Sequence, residues 1–250
     1  SSQVFYIEHF PDYDNLINFY YVAFEEYLKH KKTKEGQLYG NSLLFLKAFW
    51  ENNEEECRNR VKRINKIGVD DRVHPFVIGR YYASNLLFDY HYSHDQLDFL
   101  IKQIFDTANR MPKSGNHFLS FPAFQYIISE AFLHCNLFNE CVAIIDSAFE
   151  DYPLEKEFVR KGYYRQMQLF KSFALWEIQR KEESLKLLQK IDPSSFYFIS
   201  EKYFKALYLI HKYRVEKNYE IREHADRLIN EMGNKFLSKK LDKIVEKEVF

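Results

Sequence analysis

A period of about forty residues most constrains how this chain can fold. Amphipathic segments with polar first residues begin near Asn53, His94, Asn139, Lys181 and Asn218. Three of the six prolines, Pro112, Pro153 and Pro193, each follow such a segment, and they lie 41 and 40 residues apart. A proline cannot continue a helix, so each of the three is expected just beyond a helix end. The spacing therefore predicts a series of similar helical units.

Apolar residues recur at intervals of three and four, as they do on one face of a helix. Between 217 and 233 they form a single stripe, made of Ile221, Ala225, Leu228, Ile229 and Met232. More aromatic segments alternate with the amphipathic ones, near 36–51, 75–91, 118–136, 155–179 and 195–215. We therefore predict five helix pairs, with a leading helix near 12–30 and a last helix near 234–248.

Composition excludes several classes of protein. The 250 residues include 24 Phe and 19 Tyr but only 7 Gly, and these glycines are too scattered for a phosphate-binding glycine loop. Lysine plus arginine equals aspartate plus glutamate, at 36 each. A chain without a basic excess is a poor candidate for binding nucleic acid or an anionic membrane, and no segment has the apolar length of a membrane span. We predict neither kind of partner.

The cysteines and the first residues indicate a cytoplasmic protein. Cys57, Cys135 and Cys141 are odd in number and lie in apolar patterns, which is typical of buried thiols in a reducing compartment. A Cys135–Cys141 disulfide is the less favoured alternative. The residues from Ser1 onward do not form a secretory signal. Because they also lack a methionine, we expect either an expression-derived start or a further domain before Ser1.

One stretch resembles the second half of a tetratricopeptide repeat (TPR). Its Cys141, Ile145, Ala148 and Pro153 match the small, large, small and proline positions of that pattern, and Ser129 is the matching small residue on the preceding helix. A second unit matches in part, through Ser172, Leu175, Ser184, Leu188 and Pro193. The unit with Ala83, Leu97, Ile101 and Ile104 needs a two-residue insertion in its turn. The resemblance covers about 35–233 and implies a TPR-like array.

Residues able to carry chemistry are few. His91 and His94, flanked by Asp89 and Asp95, could begin a metal site, but they fall at a helix junction where such residues commonly act as caps. His134 and Cys135 are adjacent, so on a helix they cannot face each other as a catalytic pair. We predict no metal, no cofactor and no catalytic residue, and hence no enzyme.

The basic run from Arg58 to Lys66 favours a solvated helix face rather than a nucleic-acid site. Glu54, Glu55 and Glu56 precede it, and acid before base complements the helix dipole without any ligand.

The aromatic first helices carry the best candidates for binding. Their rings exceed what one helix stripe can bury, and polar side chains are mixed among them. A groove with both kinds of side chain suits an extended peptide. The candidate peptide-binding residues are Arg80, Ser84, Asn85, Gln125, Tyr126, Glu130, Gln166 and Gln168.

We therefore predict an all-α, right-handed superhelix of about five TPR-like antiparallel helix pairs. Residues 1–34 form a leading segment, 35–233 the array and 234–250 a capping helix, all in one continuous domain. The predicted function is non-catalytic peptide or protein binding, with a homodimer through the end helices as a further hypothesis.

The array is also similar to the sensor parts of bacterial peptide-responsive transcription regulators. Two alternatives stay open: a scaffold that docks large protein partners, and, more remotely, an enzyme built as a helical toroid.

Overall fold

The structure is a computed structural model, and it describes residues 26, 28–30, 33–70, 72–111, 121–151, 158–195 and 201–246. All regular secondary structure in these residues is helical, which confirms the predicted all-α class. The predicted leading helix near 12–30 lies outside the described residues, except for residues 26 and 28–30, which are helical. Pro112 and Pro153 also lie outside them.

The described helices follow the predicted alternation closely. They are α1 (Lys34–Trp50), α2 (Glu54–Ile67), α3 (Pro75–Phe88), α4 (Leu97–Arg110), α5 (Phe121–His134), α6 (Phe138–Asp151), α7 (Phe158–Glu177), α8 (Lys181–Leu188), α9 (Glu201–Glu216), α10 (Tyr219–Met232) and α11 (Lys235–Glu246). We call α1, α3, α5, α7 and α9 the first helices, and α2, α4, α6, α8 and α10 the second helices. Pro193 begins a short 3-10 turn after α8, where a proline was expected.

The chain forms two compact units. One contains Leu43–Arg60, the described residues from Asp192 onward, and those described before Thr33. The other contains Thr33–Ser42 and Val61–Ile191. Helices α3 to α8 all belong to the second unit. The boundaries predicted at residues 34 and 233 stay predictions.

In the second unit, the first helices α3, α5 and α7 pack side by side. A Cβ built at Gly79 of α3 would lie 3.4 Å from the Cα of Phe124 and 3.5 Å from Ile127, which are ordinary van der Waals distances, so α3 and α5 are closely packed there. Further along both helices, the Cys135 thiol donates to the carbonyl of Leu86 at 3.8 Å. Because both contacts advance in the same direction, α3 and α5 run parallel.

Three of the second helices cross their first helices at buried contacts between residues twelve apart in sequence. The Cys141 thiol donates to the carbonyl of Ser129 at 3.3 Å, and these are the two small residues that match the TPR-like pattern. Ser172 and Ser184 exchange hydrogen bonds from each hydroxyl to the other's carbonyl, at 2.9 and 2.7 Å. In the other unit, the Cys57 thiol lies 3.9 Å from the carbonyl of Phe45. All three cysteines are free and buried.

The turns from first to second helices share a backbone conformation. Each contains a non-glycine residue with positive φ: Asn52, His94, Asn136, Gln179 and Lys217. In three of them, the residue after the left-handed one donates its amide to a carbonyl five residues earlier, at 2.8 to 2.9 Å. This satisfies carbonyls that a helix end leaves without partners.

The turn between α3 and α4 differs from the others. There α3 continues into a π-helical turn, Asp89–Ser93. A π turn takes more residues than an α turn. This accounts for the two-residue insertion that the sequence indicated in the turn of this helix pair.

In the first unit, α10 packs on α9, and α11 packs on both. Trp50 lies 6.3 Å from the Tyr203 ring and 5.4 Å from the Phe236 ring, so an aromatic cluster joins the end of α1 to α9 and α11. Leu237 and Leu241 of α11 are buried, as expected for a helix that covers the end of a core. No described helix is long and apolar enough to cross a membrane.

The turn after α7 offers a test of the left-handed backbone. Gln179 is exposed at φ 67°, a conformation that costs an L-residue about 1 kcal/mol or more. Gln179→Gly is therefore expected to raise the free energy of unfolding by about 0.5 to 1 kcal/mol, measured by urea denaturation. Asn136→Gly is the matched control and should change it less, because asparagine tolerates this conformation. A loss of stability in Gln179→Gly would contradict this account of the turn.

Candidate functional site

The candidate residues lie on three neighbouring first helices of one unit. Arg80, Ser84 and Asn85 are on α3; Gln125, Tyr126 and Glu130 are on α5; Gln166 and Gln168 are on α7. All of them are buried except Gln168, which is half-buried. A ligand that contacts the seven buried side chains must therefore reach groups that have little access to solvent. Their role in binding stays a prediction.

The two candidate residues on α7, Gln166 and Gln168, lie on opposite sides of the helix. Lys171 forms an ion pair with Asp146 of α6, and Ser172 bonds Ser184 of α8, so both mark the side that faces the second helices. Gln168, three and four residues earlier, lies on that same side. Gln166 is about 120 to 140° away from both marker residues, on the basis of about 100° per residue. It therefore lies on the opposite side.

The candidate residues on α5 also lie on different sides of their helix. Ser129 contacts α6 through its carbonyl, and the Phe132 ring stacks on Phe105 of α4 at 5.9 Å. Gln125 is four and seven residues before these two and shares their side, whereas Glu130 is about 100 to 160° away from them. The Tyr126 ring stacks on Phe170 at 5.9 Å and so faces α7.

Helix α3 completes the arrangement. The Tyr82 hydroxyl accepts a hydrogen bond from Thr107 of α4 at 3.3 Å, which marks the side facing the second helices. Arg80 and Ser84, each two residues from Tyr82, point about 160° away from it. The amide of Asn85, three residues after Tyr82, donates instead to the carbonyl of Tyr81 on its own helix.

The eight candidates therefore do not form one surface. Four of them lie on the side of the first helices that is opposite the second helices; we call this side the inner face and define it by Arg80, Ser84, Glu130 and Gln166. Asn85, Gln125 and Gln168 lie on the other side. The Gln125 side-chain oxygen is buried there and has no hydrogen-bond partner among the described residues.

Two buried charges distinguish the inner face from ordinary helix packing. Arg80 is 2 % exposed and Glu130 is 5 % exposed. The Arg80 guanidinium carbon lies 5.4 Å from the centre of the Phe76 ring, at a distance where a cation attracts an aromatic face. The inner face therefore carries buried groups of both signs of charge.

The Tyr81 hydroxyl, beside this face, stays protonated at neutral pH. Burial, and to a smaller extent the neighbouring Tyr82, raise the pKa of Tyr81 above its ordinary value. Tyr81 and Tyr82 pack edge to face, with their ring centres 5.1 Å apart.

One inner-face residue was missed from the sequence. His134 was considered only as a partner for Cys135, but it lies four residues after Glu130 and is 2 % exposed. The spacing of Glu130 and His134 is a sequence signal that could have placed both on one face.

The cluster around His91 has structural roles. The His91 Nε2 lies 3.2 Å from the carbonyl oxygen of His134, and His94 occupies the left-handed turn. The Asp89 carboxylate accepts hydrogen bonds from the amides of Asp95 and Gln96 at 3.1 Å, so it caps the start of α4. Among the described residues, no group of three or more His, Cys, Asp or Glu side chains is arranged to hold a metal ion.

Comparison of the chain with protein-family models, with curated proteins and with solved structures gave no match. Functional inference therefore depends on the geometry of the inner face.

The capping of α4 by Asp89 can be tested by substitution. Asp89→Ala removes the acceptor for two amides at the start of α4 and should lower the free energy of unfolding by about 1 to 3 kcal/mol. Urea denaturation measures the change. Asp95→Ala is the matched control: Asp95 is exposed and accepts from the Ser93 hydroxyl, so its loss should cost less than about 0.5 kcal/mol. Equal losses in the two variants would contradict the capping role.

Proposed function

We propose that this chain is a TPR-like helical repeat array that binds a peptide or a protein segment through the inner face of α3, α5 and α7. The proposal includes the right-handed superhelix of about five pairs and excludes a catalytic role. In a stacked array, each unit buries its apolar surface on its neighbours and leaves one face of the first helices for a partner.

Three observations support the array. The left-handed turn residues at 52, 94, 136 and 179 recur at intervals of 42 or 43. Buried contacts twelve residues apart join the helices of three pairs. The first helices of neighbouring pairs pack directly on each other in the second unit. Each of these follows when one helix-pair design is repeated along the chain.

The observation that carries the binding proposal is the polar character of the inner face. Arg80, Glu130 and Gln166 are buried on this face and bring a cation, a carboxylate and an amide to it. A peptide backbone has an amide and a carbonyl at nearly every residue, and such side chains match it.

Burial of the candidates favours a small or extended ligand over a large folded partner. A folded protein can contact only side chains that reach the surface, whereas a single extended segment can enter between helices. The alternative of a scaffold for large partners therefore becomes an outcome of the experiment.

A pair of glutamines two residues apart on α7 tests the proposal. Gln166→Leu removes the amide from the inner face, and Gln168→Leu makes the same change on the side of the second helices. An equimolar pool of synthetic heptapeptides is added to each protein, and the unfolding temperature is recorded. We expect the pool to raise this temperature by several degrees in the wild type and in Gln168→Leu, but not in Gln166→Leu.

Two results would count against this function. A temperature rise that survives in Gln166→Leu and is lost in Gln168→Leu would place the ligand on the wrong side of α7. No rise in any of the three proteins would contradict peptide binding and favour the scaffold.

A further inference from the structure

Two titratable side chains are buried together on the inner face of α5. Glu130 and His134 are four residues apart, and they are 5 % and 2 % exposed. Side chains at this spacing on a helix are neighbours, about 5 to 6 Å apart at Cβ. The peptide-binding proposal assigns no role to His134.

Helix α7, which packs beside α5, has a titratable side chain at about the same height along the helices as His134. Glu177 is the last residue of α7, as His134 is of α5, and each precedes a left-handed turn residue by two positions. Tyr126 of α5 contacts Phe170 of α7, and these two residues are 44 apart in sequence. His134 of α5 and Glu177 of α7 are 43 apart, which is nearly the same separation. Glu177 therefore occupies the position on α7 that His134 occupies on α5.

Helix α3 and its π turn contribute the remaining charged and titratable groups. His91 contacts the carbonyl of His134, and its ring centre lies 5.0 Å from that of Tyr90 and 6.3 Å from that of Tyr92. The Asp89 carboxylate is occupied by the amides that begin α4. Arg80 lies nearly three helical turns before His91, nearer the start of α3.

A carboxylate and a helix end lie close to His134 along α5. An imidazolium is stabilised by a glutamate four residues earlier and by the negative end of the helix dipole at the last residue of α5. Burial opposes the charge, whereas the Glu130 carboxylate and the helix end act in the other direction. Histidine is also the side chain whose charge ordinarily changes between pH 5 and 8.

We propose that His134 is a pH sensor built into the layer of α3, α5 and α7. As the pH falls from 8 to 5.5, His134 takes up a proton, and the imidazolium then holds the ends of α5 and α7 together through Glu130 and Glu177. His134 would sense pH whether or not the inner face binds a peptide.

The sign of the pH dependence follows from proton linkage. A histidine that holds its proton more tightly in the folded chain stabilises the fold below the unfolded-state pKa of about 6.5. This stabilisation is lost as the pH rises through the folded-state value. Wild-type stability relative to a variant without the imidazole should therefore be greater at pH 5.5 than at pH 8.

The experiment compares urea midpoints of the 250-residue chain at pH 5.5 and pH 8. We expect the midpoint of wild type minus that of His134→Gln to be larger at pH 5.5 by about 0.3 M urea. His224→Gln, at an exposed position on α10, is the matched control and should show no such difference. An equal wild-type minus His134→Gln difference at both pH values would overturn the proposal.

A second measurement does not depend on the folding of His134→Gln. The imidazole Cε1 proton of His134 is followed by NMR in the wild type and in Glu130→Gln. We expect it to titrate between pH 8 and 5.5 in the wild type, and at lower pH in Glu130→Gln. A resonance that does not move, or one that Glu130→Gln leaves unchanged, would overturn the proposal. Either result would leave the peptide-binding test unaffected.

Discussion

The close packing of α3 on α5 is the interaction on which the second unit depends. At Gly79 a Cβ would lie 3.4 Å from the Cα of Phe124, an ordinary van der Waals distance, so the two helices are in contact there. Because the two helices pack closely and in parallel, residues on α3 have neighbours on α5 at a nearly constant offset in sequence. This offset brings Leu86 to Cys135 and His91 to the end of α5. The inner face exists because first helices lie beside each other in this way.

Small residues have a similar part in joining first and second helices. Ser129 with Cys141, and Ser172 with Ser184, meet through side chains that both fit a close crossing and satisfy a backbone carbonyl. Larger residues would separate the helices, and purely apolar ones would leave out these hydrogen bonds. The repeat is thus encoded less by identical residues than by residue size at the crossing.

Local features of the sequence were sufficient to predict the helices. The predicted segment 75–91 corresponds to α3 and its π turn, and Ser129 and Cys141, which the TPR resemblance singled out as small residues, are in contact. The sidedness of the candidate site was not predicted, although Gln125 and Glu130 differ by about 140° around one helix. Helix periodicity can show that two residues diverge, but it does not show which one faces the second helices. That choice became clear only from contacts such as Phe132 with Phe105.

The central claim is that a peptide ligand contacts the inner face. Methyl NMR tests it most directly, because Ala123 lies seven residues before Glu130 on that face and Ile145 lies on α6, among the second helices. The protein is labelled at alanine and isoleucine methyl groups and titrated with the heptapeptide that stabilises it most. The account predicts that the Ala123 methyl resonance shifts and that of Ile145 does not. A shift at Ile145 with Ala123 unchanged would contradict it.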